Sequence, residues 1–314
     1  MLVGVLEKKF IVVDWGTSNM RLFLCERATE KRSVKKPIVL DRLQGPGIGD
    51  TKNAENAFFQ LAADWLDRYP DTPVFMSGMV GSNIGWVPTP YLDCPISILD
   101  IGQGKTEFFA RKHKLYVQHG LSCLNSMGLP DLMRGEELQI LGWYKSNPGR
   151  HARGSHLICL PGTHSKWVSV KDGVVIGFST AVTGELYEVL LRHSVLVCGE
   201  LDPGHQEGFR RGLSEVYRCG GEKLVSLLFS VRARQLVSDL DASSSAAYMS
   251  GLLIGADVLS AVGGERALDD GAELHIIGSD QVSGLYKQAL ELKKYLVQTI
   301  SSEEACFYAY AETA

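Results

Sequence analysis

The feature that most constrains the fold of this chain is a short motif that occurs twice. The first copy, DWGTSNMRLFL, starts at Asp14, and the second, LPGTHSKWVSV, starts at Leu160. In each copy a Gly-Thr pair and two further polar residues separate two apolar runs, which predicts strand, tight turn, strand. One such hairpin in each half of the chain predicts two domains of related architecture, with the two turns facing each other across a cleft.

The segments between the hairpins predict an α/β protein. NAENAFFQLAADWLDRY has helical spacing, PVFMSG and ELHIIGSD are typical of buried strands, and Asp131 predicts the cap of a helix through LMRGEELQILGWY. The 314 residues suit two domains of about 150 residues each. Segment 146–156, SNPGRHARGSH, lacks apolar periodicity and is the predicted linker between the two domains. We therefore divide the chain into domains 1–148 and 149–314.

The two turns have the chemistry of a phosphate site. Glycine allows close approach of the backbone to a ligand, and successive N–H groups in a turn bind anions. Asp14 would repel phosphate unless a cation lay between them, and Mg²⁺ is typically held by one or two carboxylates, waters and phosphates. Either turn alone is more simply a tight hairpin, but the pair favours a site for a metal-bound nucleotide.

Composition argues against several classes of partner. The net charge is −4 and no basic patch is evident, which disfavours nucleic acid. The N-terminus MLVGVLEKKF lacks the apolar core of a signal peptide. The most apolar later segment, 246–262, is interrupted by Asp257 and favours a packed helix over a membrane span. We expect a cytoplasmic protein; its oligomeric state is not readable from the sequence, and a homodimer stays open.

Several motifs together resemble a known family. DWGTS and LPGTHSK resemble the two phosphate motifs of the actin, Hsp70 and sugar-kinase superfamily, and IIGSD resembles its adenosine motif. With SGMVGSNIGW, MRGEELQILG, TGELYEVL and SGLLIGADV they resemble the 2-dehydro-3-deoxygalactonokinase family from about residue 10 to 290. The resemblance implies two ribonuclease-H-like domains, each a mixed sheet flanked by helices, and ATP and Mg²⁺ in the cleft between them. It also implies phosphorylation of 2-dehydro-3-deoxygalactonate on its 6-hydroxyl, a substrate that composition and spacing do not themselves indicate.

The resemblance implies roles for the turn residues. Asp14 would orient Mg²⁺, and the ATP phosphates and adenosine would be bound by Gly16, Thr17, Ser18, Gly162, Thr163, His164, Gly278 and Ser279. Lys166 would neutralise charge or point to solvent, depending on which face of its strand it occupies.

A carboxylate must also accept the proton of the attacking hydroxyl. In related sugar kinases it lies shortly before the second phosphate motif, where the family pattern is usually an Asp after glycine, a pattern from which this chain departs. This chain has Glu136 and Glu137 there. We predict Glu136, with Glu137 as the alternative; a capping or exposed helix acid is an equally simple interpretation of Glu136.

The sugar acid requires a cation or aimed N–H groups for its carboxylate. Arg21 and Arg134 are the charged candidates, although Arg21 could instead pair with a nearby acid. The SGMVGSNIGW segment supplies the remaining candidates, as backbone donors or pocket walls: Ser77, Gly78, Met79, Gly81 and Trp86. Trp86 could alternatively be a core residue. Tyr91 is a further candidate for the pocket.

The motifs also have other interpretations. GPGIGD, residues 45–50, is glycine-rich but lacks the dinucleotide-binding spacing and predicts a turn near the substrate. A nicotinamide-dependent dehydrogenase would need no Mg²⁺. A non-catalytic actin-like ATP-binding protein, or a kinase of another keto-deoxy sugar acid, would share the same motifs.

Overall fold

Two compact units make up the structure. The computed structural model describes residues 9–27, 36–201, 206–237, 239–263 and 271–310. The first unit comprises Met1–Gly154, Lys171–Gly177 and Ser302–Ala314, and the second comprises Ser155–Val170 and Phe178–Ser301. Most of the N-terminal segment that was weighed as a signal peptide lies outside the described residues.

The first part of the chain forms mainly strands. These are β1 Lys9–Trp15, β2 Asn19–Glu26, β3 Ile38–Pro46, β4 Val74–Gly78, β5 Tyr91–Asp93, β6 Ile96–Ser97, β7 Lys105–Ala110, β8 His113–Gln118, β9 Gly120–Leu124 and β10 Pro130–Met133. The helices are α1 Ala54–Arg68, α2 Ile98–Ile101, α3 Glu136–Ser146 and α4 Pro148–His151.

Longer helices dominate the rest of the chain. The strands are β11 Ser155–Leu160, β12 Ser165–Lys171, β13 Val174–Ala181, β14 Glu273–Gly278 and β15 Val297–Ser301. The helices are α5 Thr183–His193, α6 Gln206–Cys219, α7 Leu224–Leu236, α8 Ala242–Val262, α9 Asp280–Leu292 and α10 Ser302–Tyr310.

The two units repeat one strand order. The first sheet runs β3-β2-β1-β4-β8-β7, and the second runs β15-β14-β11-β12-β13, with β6 pairing to the first residues of β13. In each, a meander of three strands is extended by parallel strands on the side of its first strand. This is the ribonuclease-H-like arrangement, so the predicted fold class of mixed sheets flanked by helices is confirmed.

The core of the first unit lies between its sheet and α1. Ile11, Val13 and Trp15 alternate along β1 and pack with Phe58 and Trp65 of α1. The predicted apolar face of this helix is thus the buried one. Each such side chain stabilises the unit by roughly 1.5–3 kcal/mol through removal of apolar surface from water.

The long helix α8 lies in the second unit. Its length and apolar composition would let it span a membrane, but 67% of its most apolar window is buried inside the protein. Glycines allow α8 to contact α6 closely: a Cβ at Gly251 would lie 2.2 Å from the Phe209 carbonyl oxygen. This extent of burial agrees with the prediction that segment 246–262 forms a packed helix.

The compact units differ from the predicted domains in two places. The change from the first unit to the second falls after Gly154, inside the predicted linker 146–156. Helix α10, which falls within range 149–314 but whose domain the sequence leaves unassigned, belongs to the first unit. It packs on α3 so closely that a Cβ at Gly142 would lie 1.6 Å from the Ala305 carbonyl oxygen. The domain boundary at residue 149 itself stays a prediction.

Candidate functional site

The turn between β1 and β2 exposes the first Gly-Thr pair. Thr17 and Ser18 are exposed, and the half-buried Gly16 donates its backbone N–H to the Asn19 carbonyl oxygen at 2.9 Å. Backbone N–H groups and small hydroxyls in an exposed turn are the donors that phosphate oxygens accept. The predicted phosphate ligands of the first unit therefore lie together on one turn.

A glycine-rich segment after β3 holds this turn in place. The N–H of Ile48 donates to the Gly16 carbonyl at 3.0 Å, and the N–H of Gly49 donates to the Thr17 carbonyl at 2.9 Å. A Cβ at Gly47 would lie 2.1 Å from the Thr17 carbonyl oxygen, so only glycine permits this approach. The GPGIGD segment, for which the sequence indicated a turn near the substrate, thus supports the first phosphate turn.

Asp14 is the penultimate residue of β1, and Trp15 separates it from the first turn residue, Gly16. It is paired with Arg21 across the hairpin, and the two side chains form an ion pair. The Asp14 side chain is 22% exposed, so its carboxylate is partly accessible to solvent. Arg21, a candidate for the substrate carboxylate, is here the partner of Asp14.

The C-terminal helix packs behind Asp14. A small cavity is lined by Asp14 and Ser77 from the strands and by Cys306 and Tyr310 from α10. Burial raises the pKa values of Cys306 and Tyr310 well above their usual range, so both groups are neutral at physiological pH. The sequence does not reveal these neighbours, because the pattern of SEEACFYAYAE does not indicate which sheet the helix covers.

The SGMVG segment begins directly beside Asp14. The strand register places Ser77 opposite Asp14. Gly78 has a φ of +88°, and a Cβ there would lie 2.7 Å from the Trp15 carbonyl oxygen. Met79–Gly81 then forms a single 3₁₀ turn. The structure therefore brings the predicted substrate residues together in one bend: Ser77, Gly78, Met79 and Gly81.

The turn before α3 contacts this bend. A Cβ at Gly135 would lie 3.3 Å from the Cα of Gly78. The Arg134 guanidinium donates to the Thr89 hydroxyl and, at 2.9 Å, to the Thr89 carbonyl oxygen, and it stacks 4.3 Å above the Tyr91 ring. Arg134 is thus held rigidly next to the bend, as a candidate ligand for an anionic group should be.

Helix α3 begins at Glu136, and the prediction of a helix start at Asp131 is wrong. Pro130–Met133 forms β10, and Gly135 precedes the helix with a φ of +110°. A residue at positive φ interrupts a right-handed helix. Glu136 and Glu137 consequently occupy the first turn of the helix, where its dipole favours negative charge.

The two acids of this turn differ in burial. Glu137 is fully buried; its Oε2 accepts from the Gly135 N–H at 2.6 Å, and its Oε1 has no hydrogen-bond partner among the described residues. Burial, reinforced by the charge of Glu136, raises the pKa of Glu137 to about 8. Glu136 is half-buried, and its Oε2 accepts from the Arg134 N–H at 3.2 Å. At neutral pH Glu137 is therefore mostly protonated.

Trp86 packs within an aromatic cluster. Its ring centroid lies 5.9 Å from that of Phe58, 6.1 Å from that of Phe59 and 5.3 Å from that of Phe108. These partners belong to or border the core between the sheet and α1. This placement matches the alternative interpretation of Trp86 as a core residue, and its contact with a sugar stays a prediction.

The second Gly-Thr pair is also exposed at a turn, between β11 and β12. His164 Nε2 lies 2.5 Å from Glu185 Oε2, and the Glu185 N–H donates to the Thr163 carbonyl at 2.9 Å. A Cβ at Gly184 would lie 2.4 Å from the Gly162 carbonyl oxygen. The start of α5 therefore supports this turn as the GPGIGD segment supports the first one.

Lys166 is buried, with 4% of its surface exposed. It lies in β12, two residues after His164, and does not project into solvent beside the exposed turn. The alternative that Lys166 points to solvent is therefore wrong. Its contact with phosphate stays a prediction.

The predicted adenosine motif lies against the second turn. Gly278 ends β14, and a Cβ there would lie 3.0 Å from Pro161 Cγ. Ser279 is the N-cap residue of α9, and its carbonyl oxygen accepts from the Ser283 N–H at 2.9 Å. Within the second unit, the two predicted nucleotide motifs are thus neighbours.

A cavity of about 540 Å³ opens in the second unit beside α5. Thr183 and Asp257 are among its walls, and Thr183 directly precedes the glycine that supports the phosphate turn. The buried Asp257 carboxylate accepts from the Thr183 hydroxyl at 2.8 Å, from Trp167 Nε1 at 2.9 Å and from the Tyr286 hydroxyl. The volume lies within the range of small-molecule pockets, and the wall is rigidly hydrogen-bonded.

Comparisons with known proteins identify relatives over nearly the whole chain. The sequence profile of the 2-keto-3-deoxy-galactonokinase family matches residues 14–311. A 2-dehydro-3-deoxygalactonokinase of Escherichia coli is 33% identical, over 80% of each chain. A Rhizobium meliloti protein assigned the same activity is 32% identical, over 94% of this chain and 93% of its own. A crystal structure of a Sinorhizobium meliloti protein described by that enzyme name superposes with a TM-score of 0.81 at 32% identity, over 97% of this chain and 98% of the other.

Proposed function

The chain belongs to the 2-keto-3-deoxy-galactonokinase family, and from that premise we propose that it transfers the γ-phosphoryl group of ATP to 2-dehydro-3-deoxygalactonate. The acceptor is the 6-hydroxyl of the sugar acid, and the product is 2-dehydro-3-deoxy-6-phosphogalactonate. The protein is a sugar-acid kinase of galactonate catabolism. We place it in the cytoplasm, with a small-molecule substrate as its partner.

One observation carries the proposal from the structure. An exposed Gly-Thr turn joins the first and second strands of both sheets, and the two sheets have the same strand order. Each turn is held by backbone contacts to a glycine-containing segment. Duplicated, rigid, exposed turns of this composition are suited to bind phosphate oxygens. That both turns bind the same ATP molecule stays a prediction.

Mg²⁺ fits the donor set of the first turn. Asp14 offers a partly exposed carboxylate on the strand that leads into the turn of Thr17 and Ser18, and Mg²⁺ prefers oxygen ligands together with water and phosphate. The ion would neutralise charge that develops on the transferred phosphoryl group. Asp14 would hold it, and Arg21 would keep the carboxylate in position.

The nucleoside of ATP would lie in the second unit. Gly278 and Ser279 adjoin the second turn, and the cavity beside Thr183 adjoins it from the side of α5. The hydrogen bonds that Asp257 accepts keep the wall of this cavity fixed. A rigid wall lowers the entropy that is lost when ligand and protein are ordered together.

Glu136 is the better candidate for the catalytic base. A base must be ionised to accept the proton of the attacking hydroxyl, and the raised pKa of Glu137, about 8, leaves that residue mostly protonated at neutral pH. Glu136 is reachable by solvent and lies in the same helix turn. Arg134 and the SGMVG bend, which adjoin this turn, would receive the carboxylate of the sugar acid.

An assay of ADP release tests the proposed reaction. We expect turnover to require ATP, Mg²⁺ and 2-dehydro-3-deoxygalactonate together, and to be slower with the gluconate-type epimer. Equal ADP release with and without a sugar acid would reject the kinase proposal in favour of an ATP-binding switch. A faster reaction with the epimer would reject the proposed substrate but not the chemistry.

Substitution of the two acids tests the assignment of the base. Glu136→Gln should lower kcat by about 10²- to 10⁴-fold, the usual contribution of a positioned acid or base, with little change in ATP binding. Glu137→Gln is the matched comparison, because it removes an acid from the same helix turn. Near-normal turnover of Glu136→Gln, with the large loss in Glu137→Gln, would transfer the role to Glu137.

A further inference from the structure

A second cluster of possible metal ligands lies in the second unit. His156 begins the buried part of β11, and Glu273 and His275 lie on the adjacent parallel strand β14. The register pairs His156 with Glu273 and Ile158 with His275. Because side chains alternate along a strand, both histidines and the glutamate lie on one face of the sheet.

The donor atoms of the cluster have the spacing of a coordination sphere. His156 Nδ1 and His275 Nε2 are 3.1 Å apart, and Glu273 Oε2 lies 3.9 Å from the first and 3.7 Å from the second. Three ligand atoms held at about 2.0–2.2 Å from one tetrahedral Zn²⁺ ion lie roughly 3.3–3.6 Å apart, so small side-chain shifts would bring these donors into place. We propose that His156, Glu273 and His275 bind one Zn²⁺ ion.

The chemistry of the donors selects the metal. Two imidazoles and one carboxylate are a common ligand set of Zn²⁺, whereas Mg²⁺ and Ca²⁺ prefer oxygen ligands alone. Both histidines are buried, at 3% and 2% exposure, and Glu273 is partly exposed. The fourth ligand is a water molecule or the side chain of Gln298, whose Nε2 lies 3.5 Å from Glu273 Oε2. The cluster is chemically unlike the proposed Mg²⁺ site at Asp14.

The position of the cluster indicates a structural role. A metal at this point would link β11 to β14, the two strands that lead to Pro161 and Gly278. His275 lies three residues before Gly278, which is about 10 Å along an extended strand. The ion would therefore not touch a phosphate at the turn, but it would hold together the strands that carry both nucleotide motifs.

A simple hydrogen bond is the competing explanation. The separation of 3.1 Å between the two imidazole nitrogens also suits one N–H donating to the other ring. In that case the site would bind no ion, and Glu273 would be a nearby surface acid. The two explanations differ in whether the protein takes up a transition metal with defined stoichiometry.

Titration of the metal-free protein with Co²⁺ tests the proposal. Full-length protein without a histidine tag is stripped with chelator, and Co²⁺ is added while visible absorption is recorded. We expect one equivalent to give the intense bands of a four-coordinate Co²⁺ site, and Zn²⁺ but not Mg²⁺ to abolish them. Zn²⁺ should also raise the unfolding temperature while kcat stays unchanged.

A pair of variants localises the site. Glu273→Gln should weaken Zn²⁺ binding at least about tenfold. Removal of a group that only supports a metal ligand already costs about this much affinity, and Glu273 is a proposed ligand itself. Glu291→Gln, an exposed acid of α9 in the same unit, is the matched control and should bind Zn²⁺ normally. Because Glu273 is partly exposed, its variant should fold, and its unfolding temperature without metal verifies this.

The same measurements can overturn the proposal. Absence of the Co²⁺ bands in folded protein, together with an unfolding temperature that Zn²⁺ leaves unchanged, would leave only the hydrogen bond between the imidazoles. Equal loss of binding in the Glu273 and Glu291 variants would place the ion elsewhere on the protein.

Discussion

The two units share one strand order but differ in the residues beside the exposed turn of each sheet. In both, the first and second strands of the sheet meet at a Gly-Thr turn, and the segment after the third strand supports that turn through its backbone. In the first unit this segment is GPGIGD, and in the second it is the start of α5. Support by the same topological element shows that the position of the turn is a property of the fold.

Charge distinguishes the two turns. Asp14 precedes the first turn, whereas the aligned position before the second turn is Leu160. At the second turn His164 pairs instead with Glu185, an acid of α5. The strand that leads into the first turn therefore carries a carboxylate, whereas the aligned residue before the second turn is apolar. If both turns bind phosphate as proposed, only the first also offers a strand carboxylate for a metal ion.

The largest expected effect breaks this asymmetry. Asp14→Asn should lower kcat by about 10²–10³-fold, because it removes the fixed charge that would hold Mg²⁺ against the developing transition-state charge. Glu185→Gln, which removes the acid at the other turn, should change kcat less than about fivefold, since exposed ion pairs contribute little. Steady-state kinetics over a range of Mg²⁺ concentrations measure both.

Equal losses in these two variants would contradict the asymmetry. They would show that each turn contributes one acid to the same step. The stability of Asp14→Asn controls for misfolding. Its loss of the ion pair with the partly exposed Arg21 should change the free energy of unfolding by less than about 1 kcal/mol.

The second prediction concerns the support of the turns. In Gly47→Ala and Gly184→Ala the new Cβ would meet a backbone carbonyl oxygen at 2.1 Å and 2.4 Å, so the turn must shift. A displacement of about 1 Å can reduce kcat/KM about 10²-fold. We expect both variants to lose activity on that scale, measured with ATP as the varied substrate.

Two glycines provide matched controls for the second prediction. A Cβ at Gly149 in the first unit or at Gly284 in the second meets no atom within 4 Å. Gly149→Ala and Gly284→Ala should retain activity within about twofold. If only one of the two supporting glycines proves essential, the turns are not equivalent supports for phosphate.

The turns and their strands were predictable from the sequence, because a Gly-Thr pair between apolar runs is a local signal. The contacts that hold the turns in place were not predictable from the sequence. The need for glycine at position 47 arises from the backbone of Thr17, which is distant in sequence. A glycine-rich segment indicates a flexible backbone, but it does not indicate which other part of the chain requires glycine there.

Other misses have the same physical origin. The face of α10 that packs on α3 is apolar, but an apolar face does not specify which sheet it covers. His156 and His275 are separated by 119 positions, and only the parallel pairing of β11 with β14 brings them together. The start of α3 was misplaced because Asp131 is a good cap residue, whereas the conformation of Gly135 decides where the helix begins.

The third prediction compares the buried acids of the two units. Glu137 has a pKa raised from 4.5 to about 8, so the folded protein holds a proton that the unfolded chain releases between these values. Stability should therefore fall as pH rises from about 5 to 8, and Glu137→Gln should remove this decrease, which is on the order of a few kcal/mol. Urea unfolding at several pH values measures it.

Asp257 of the second unit is the contrasting acid. Its carboxylate accepts three side-chain hydrogen bonds, whereas one oxygen of Glu137 has no partner among the described residues. Asp257→Asn places amide hydrogens against these donors and should lower the free energy of unfolding by about 1.5–3 kcal/mol. A pH dependence that is the same in Glu137→Gln and the unmodified protein would contradict the raised pKa.

The smallest expected effect concerns the glycines at equivalent strand ends. Gly78 ends β4 and Gly278 ends β14, each on the strand parallel to the first strand of its sheet. Gly78 has a φ of +88°, and its added Cβ would lie 2.7 Å from the Trp15 backbone oxygen. Gly78→Ala should therefore lower the free energy of unfolding by roughly 1–3 kcal/mol.

Gly278→Ala should be milder, because its nearest neighbours are side-chain atoms of Ser283 and Pro161, at 2.8 Å and 3.0 Å. We expect a stability loss below about 1 kcal/mol and a severalfold higher KM for ATP at unchanged kcat, the pattern of lost uniform binding. If Gly278→Ala lowered kcat and left the KM for ATP unchanged, this strand end would not bind adenosine. The two strand ends would then share their geometry, but they would not bind different ligands in the way proposed for the two turns.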